Sequence, residues 1–337
     1  MHSLYPLRFE PIFKSMLWGG RRLPELVRQN KPTEQPVGEV WLLSDVDGNL
    51  SVVRNGPWAG MTLRELLQRQ AGPVLGVHQQ QWQKSQRFPL LLKFIDAQRE
   101  LSVQVHPDDE HAARLGTGQQ GKTEAWVVLD RHPERSRIYA GLRPGVTEAT
   151  FRQALEQGCL VETLHHFVPQ IGDCLFLPAG TVHALGAELL VFEIQQTSDT
   201  TYRLYDWDRI DPLTGQPRPL HIAEGLSCID WSRGPCHPVQ PAVVVQGGLQ
   251  REGLIHCRYF TLERWSVFRT TSVGSQARCR ILVTLNGTGT LEWNGQPESL
   301  TAGDVLFLPA ALETIRLTPT SERLTLLACG LGEESAN

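Results

Sequence analysis

Several features are scarce or missing in these 337 residues, and each absence closes off a class of protein. Cysteine occurs seven times, an odd number, between Cys159 and Cys329 and never as a CxxC pair. That argues against a disulfide framework and a Cys-rich zinc site, and leaves reduced structural thiols. No apolar run is long enough to cross a bilayer. The opening stretch MHSLYPLRFEPIFKS has neither an uninterrupted apolar segment nor a small-residue cleavage site, so a cytoplasmic location is expected. Charge of one sign is not in surplus: 32 basic and 36 acidic residues give a formal −4, without long like-charged runs. On that balance neither nucleic acid nor a membrane surface is a partner.

What is present is mainly β sequence. Short apolar runs bounded by Gly, Pro, Asp and Asn recur as PLLLKFID, LSVQV, EAWVVL, DCLFLPA, LLVFEIQQ, RILVTLNG, DVLFLPA and RLTLLA. Helical spacing is confined to Met61 to Gln70, to DDEHAARLG closed by Gly116, and to TEATFRQALEQG with Thr147 as N-cap and Gly158 as terminator. One segment repeats: GDCLFLPA from Gly172 returns as GDVLFLPA from Gly303, agreeing at seven of eight positions. In each, a Gly-Asp turn enters a strand and a proline forces the chain out of the sheet. Two copies predict a duplicated β-barrel domain. The prolines of Ser232 to Ala242 suit a linker over 232–242, dividing the chain into 1–231 and 243–337. The Pro-rich stretch Asp211 to Leu220 reads as a surface loop, and the tail GEESAN as disordered. The copies differ in chemistry, because the second carries Thr314 where the first carries His183. A functional site therefore belongs to the first half.

The segment LSVQVH alternates, with Leu101, Val103 and Val105 on one side and Ser102, Gln104 and His106 on the other. A wet edge strand explains such a face unless distant residues carry complementary chemistry. The pattern G-D-x4-P-x-G-x2-H (Gly172, Asp173, Pro178, Gly180, His183) resembles the second motif of the cupin superfamily, small jelly-roll barrels whose lumen commonly holds a metal. The resemblance makes His183 a ligand and turns the Ser102, Gln104 and His106 face into the lumen. GKTEAWVVL adds Lys122, Glu124, Trp126 and Val128 on one face of the next strand. One carboxylate and two imidazoles suit zinc, at distances of roughly 2.0 to 2.2 Å, and leave the shell at a net positive charge that a thiolate set would cancel.

A closer resemblance follows from motif order. LLKFIDAQRELSVQVHPDDEHA, GKTEAWVVL, LFLPAGTVHAL and EIQQTSDTTYRLYDWDR look like successive signatures of type I phosphomannose isomerases, and SMLWGG and GEVWLLS resemble the N-terminal ones. It runs from about Lys14 to Arg209, and the offset of 59 positions from Glu124 to His183 resembles the short bacterial subgroup. The resemblance implies a duplicated cupin with a few peripheral helices, one Zn2+ per chain held by Gln104, His106, Glu124 and His183, and a second half without metal ligands. It also implies interconversion of mannose 6-phosphate and fructose 6-phosphate through an enediol or enediolate. Arg203 falls on the family's active-site arginine, and Lys122 on a lysine proposed as an acid/base. Ser102 and Trp18 are expected to contact substrate, the tryptophan as an apolar wall. Two departures stand out: Leu42 where members often carry an acid, and Gly121 where some carry histidine. The alternatives are a metal-binding cupin that senses sugar phosphates without turnover, and a redox-metal dioxygenase, which would use more histidines.

Overall fold

The computed structural model describes residues 3–28, 35–116, 118, 120–212 and 214–333. Of the tail, Glu334 to Asn337 lie outside the described residues. All eight apolar runs named above are strands. In the first half, Ile12–Gly20, Val37–Leu43, Leu90–Ala97, Leu189–Gln196, Glu124–Arg131 and Cys174–Leu177 form a six-stranded antiparallel sheet in that spatial order. A five-stranded sheet, ordered Tyr202–Tyr205, Val103–Val105, His183–Leu185, Ile138–Leu142 and Leu164–Phe167, stacks on it. The second half repeats the plan with sheets of six and four strands. The two sheets of each half are separate ladders that face each other, so each half is a two-sheet jelly roll, consistent with the duplicated cupin expected. Pro178 and Pro309 follow the edge strands Cys174–Leu177 and Val305–Leu308, and a proline cannot donate to a continuing ladder.

The repeated segments occupy equivalent places and use one turn chemistry. Gly172 and Gly303 adopt φ of 93° and 84°, which favours glycine. Asp173 then accepts from the amide of Gln170 at 2.7 Å, and Asp304 from that of Thr301 at 2.8 Å.

Alternation decides what each sheet face covers. Leu92, Phe94, Phe192 and Ile194 point away from the first lumen and pack with Phe260, Leu262, Leu327 and Cys329 of the second half, so the six-stranded sheets lie back to back. The first lumen is lined by Trp18, Ile95, Trp126, Val128 and Val191. Leu101 joins this set rather than Val103 and Val105, because the strand begins only at Val103. Leu42 lies in the back-to-back core, so its departure from an acid falls outside the lumen.

The expected helices form, and Thr147 caps the third as expected, while the caps of the other two are found only in the structure. Thr62 and Glu65 make a capping box for Leu63–Leu75, Asp108 caps Asp109–Arg114, and Thr147 caps Glu148–Glu156. The first outruns its expected end at Gln70, whose non-helical φ/ψ of −142° and 32° lets a new turn start and accommodates Pro73. Short helices over Leu23–Leu26, Gln79–Ser85 and Ile222–Cys228 lack the length to show a period and have no counterpart among the expected helices. Among the described residues every cysteine is free, and no helix is long and apolar enough to cross a membrane.

The N-terminal segment belongs to both halves. Leu7 exchanges both backbone hydrogen bonds with Phe307 at 2.8 Å, covering the exposed edge of Val305–Leu308, and Arg8 reaches Asp304 at 2.7 Å.

Candidate active site

Three adjacent strands of the five-stranded sheet bring sequence-distant side chains into one row. Gln104 lies in register with His183 on one side and Arg203 on the other, and directly paired residues share a face. The facing sheet supplies a second row: Trp126 pairs with Glu193, Glu193 with Lys93, and Lys93 with Trp41. Glu124, one alternation before Trp126, points into the same space.

His106, Glu124 and His183 are all buried, and their ligating atoms lie within 4.8 Å of one another. Each imidazole is fixed by its far edge. Nδ1 of His106 donates to the carbonyl of Thr200 at 2.9 Å and Nδ1 of His183 to that of Thr181 at 2.8 Å. A carbonyl only accepts, so Nδ1 carries the proton and both Nε2 lone pairs face the cluster, as second-shell hydrogen bonds commonly arrange for metal-binding histidines. Both oxygens of Glu124 are buried without a hydrogen-bond partner. The charge is balanced by Lys122, whose Nζ lies 3.0 Å from Oε2, while Oε1 stands 3.2 Å from Nε2 of His183. The side-chain amide of Gln104 lies 3.4 and 3.3 Å from the two Nε2 atoms, and its Oε1 accepts from Ser102 at 3.3 Å.

The electrostatics match a cation site. Burial resists ionisation of Glu124, but its neighbours, the charge on Lys122 foremost, outweigh it and hold the carboxyl well below its usual range. Burial, reinforced by the charge on Lys122, pushes the His106 imidazole well below its usual range and keeps it neutral. Two neutral nitrogens, one carboxylate and one amide are an N/O donor set suited to a divalent ion.

A cavity of about 290 Å³ opens beside the cluster, near the small end of ligand pockets at roughly 300 to 1,000 Å³. Trp18, Ser102, Gln104, Lys122 and Arg203 all line it, so every residue singled out from sequence lies at the cluster or on this cavity. Arg203 donates from Nη1 to the carbonyl of Pro219 at 2.8 Å, while its Nε has no partner. The stretch Asp211 to Leu220 is mostly exposed, as expected of a surface loop, yet its Arg218 lines the same cavity, held by Asp206 at 2.8 Å. A larger cleft of about 420 Å³ separates the two halves, but the convergent nitrogens and carboxylate lie at the smaller cavity, where the chemistry belongs.

Glu39, Lys93, Glu193 and Asp199 also line the cavity, and sequence reasoning does not single them out. Lys93 is 4 % exposed and stands 3.2 Å from Glu193 and 3.5 Å from Glu39. Burial would strip its proton, but the two carboxylates outweigh that and keep it charged. Burial pushes Glu193 above its usual range against the pull of Lys93. The available signal is one charge at the centre of LLLKFI and another in LVFEIQ, where an otherwise apolar strand puts alternate residues into the lumen.

Fold and site together define a two-unit cupin with a buried His-Glu-His constellation beside a charged cavity. The family model "Phosphomannose isomerase type I, catalytic domain" matches residues 7–135, and "Mannose-6-phosphate isomerase, cupin domain" matches 251–324. The mannose-6-phosphate isomerase ManA of Bacillus subtilis is 34% identical over 318 residues, covering 94% of this chain and 97% of that protein. The mannose-6-phosphate isomerase of Streptococcus mutans is 32% identical, covering 92% and 94%. A crystal structure of the mannose 6-phosphate isomerase from Bacillus subtilis superposes with a TM-score of 0.86 at 29% identity, covering 97% of this chain and 99% of that one. The chain belongs to the type I phosphomannose isomerase family and is thereby an aldose-ketose isomerase.

Proposed function

We propose that the chain interconverts mannose 6-phosphate and fructose 6-phosphate with one Zn2+ held by Gln104, His106, Glu124 and His183. The observation that carries this reading is the convergence of two Nδ1-anchored imidazoles and a buried carboxylate within 4.8 Å, beside the cavity that Gln104, Lys122 and Arg203 line. Gln104 would present Oε1 after a half-turn of its amide, and Ser102 can then accept from the nitrogen instead of donating. When bound, the ion supplies Lewis-acid polarisation of the sugar oxygens and positive charge opposite an enediolate.

The remaining work falls to side chains. Isomerisation carries a proton from C2 of the aldose to C1 through an enediol or enediolate, and one group must take the proton and return it. Only the free amine of a lysine can take the proton, so Lys122 would act after giving up its ammonium proton. It is placed for this because its Nζ sits between His106 Nε2 at 3.2 Å and Glu124 Oε2 at 3.0 Å, on the cavity wall. Arg203 stays protonated and holds negative charge, on the intermediate or on phosphate, through donors its contact with Pro219 leaves free. Ser102 orients Gln104 and the sugar, and Trp18 closes an apolar side against its C–H face. Catalysis is assigned to residues 1–231, while 243–337 supports them as a cupin-like unit without metal ligands, joined through 232–242.

The test compares chelated and zinc-reconstituted protein with mannose 6-phosphate, following fructose 6-phosphate by a coupled assay. Zinc-dependent turnover is expected, and Lys122→Met should abolish most of it with zinc content intact. One equivalent of zinc with no turnover would favour a sugar-phosphate sensor instead.

A further inference from the structure

Gly121, Lys122 and Thr123 enter the metal strand as an extended segment, and both neighbours of Lys122 are held by side chains. The amide of Gly121 donates to Asp109 Oδ1 at 3.0 Å, and the amide of Thr123 donates to Gln196 Oε1 at 2.9 Å. Gln196 in turn donates from Nε2 to the same Asp109 oxygen at 3.0 Å, which closes the set into a clamp around Lys122. The second oxygen of Asp109 accepts from the hydroxyl of Tyr259 at 2.8 Å. Tyr259 belongs to the other half of the chain, in the turn between strands Leu249–His256 and Phe260–Val267, where its carbonyl takes the amide of Gly332. The fit is close: a Cβ on Gly121 would stand 2.5 Å from the amide nitrogen of Asp109, so only glycine lets the two segments approach this far.

From this arrangement we infer that Tyr259 is a positioning residue for the isomerisation, acting from the second half through Asp109 and Gln196 to fix the backbone on either side of Lys122. The inference rests on Lys122 as the proton-transfer residue. It gives the second half a task in the reaction although no metal-ligand set lies among its described residues. A displacement of about 1 Å at a reacting group can cost on the order of a hundredfold in rate, so a hydrogen bond this far from the cavity can register in turnover. Asp109 suits the role because each carboxylate oxygen accepts from a different side, Tyr259 on one and Gly121 with Gln196 on the other.

The experiment is kinetics on the full chain with zinc, using Tyr259→Phe, Asp109→Ala, Asp109→Asn and Lys122→Met, with zinc content and melting temperature as controls. Tyr259→Phe should lower kcat about five- to tenfold with KM nearly unchanged and zinc retained, and Asp109→Ala should lower it further. Asp109→Asn should recover most of the activity, since its amide can donate to the tyrosine oxygen while Oδ1 still accepts from Gly121. In a Lys122→Met background, Tyr259→Phe should cost no further residual turnover, because the clamp acts through that lysine. Wild-type kcat in Tyr259→Phe, or an equal loss in both backgrounds, overturns the positioning role and leaves the tyrosine as packing. Full turnover in Lys122→Met alone overturns the reading on which the inference rests, which separates the two failures.

Discussion

Lys122 holds its ammonium 3.0 Å from Glu124 Oε2, and both side chains are almost wholly closed to water. A buried pair of this kind is costly to break from one side, because the survivor keeps its charge without a counter-ion. Glu124→Gln should therefore destabilise the metal-free protein by about 3 to 5 kcal/mol. It should also lower bound zinc well below one equivalent after dialysis, measured by elemental analysis. Full zinc in that variant would remove Glu124 from the ligand set.

Arg203 separates binding the ion from handling charge on the substrate. Its guanidinium lines the cavity and its hydrogen bond runs to Pro219, away from the two imidazoles. Arg203→Ala should keep zinc and the melting temperature while kcat falls by roughly a hundred- to a thousandfold, the usual loss when one donor to a developing anion is removed. Unchanged turnover would take the arginine out of the mechanism.

Asp304 gives the fold an acid limit. Burial resists its ionisation, but the amide of Thr301 with Arg8 and Arg28 outweighs it, so the carboxyl titrates below its ordinary 3.8. A depressed acid contributes stability that is present above the unfolded value and is lost as pH falls through the folded one. The melting temperature should thus drop as pH passes below 3.8, and Asp304→Asn should melt lower near neutrality with a flatter acid limb. Melts between about pH 5 and pH 2 decide the point, and an equally steep limb in the variant would refute it.

Phe307 ties the halves together. It is 1 % exposed, packs edge-on to Phe88 at 5.7 Å and Phe9 at 6.2 Å, and exchanges both backbone bonds with Leu7. Phe307→Ala should cost about 3 to 5 kcal/mol and lower one shared unfolding transition. Two separate transitions in calorimetry of the parent protein would show the halves to unfold independently.

Local patterns in the sequence carry much of the fold. Periodicity marks the strands, because a jelly-roll strand alternates between lumen and exterior, and the repeated GD-x4-P segments mark the duplication, because each copy builds the same turn and edge strand. Capping chemistry places Thr147 correctly, since a cap acts within three residues and needs no tertiary partner. The cluster of His106, Glu124 and His183 is legible through motif order.

Long-range pairing decided the rest. That Gln104 stands between His183 and Arg203 is set by strand register, which no local spacing reports. Lys93 and Glu193 look like interruptions of apolar strands until pairing sets them side by side in the lumen. Leu7 and Phe307, or Tyr259 and Asp109, are joined by back-to-back packing of two sheets encoded far apart in the chain. By itself, the sequence determined the period of the longer elements, the helix start capped by Thr147 and the chemistry on offer, all of which act over a few residues. Only the tertiary structure decided which of those chemistries meet, because contact between distant strands depends on how the sheets pack and register.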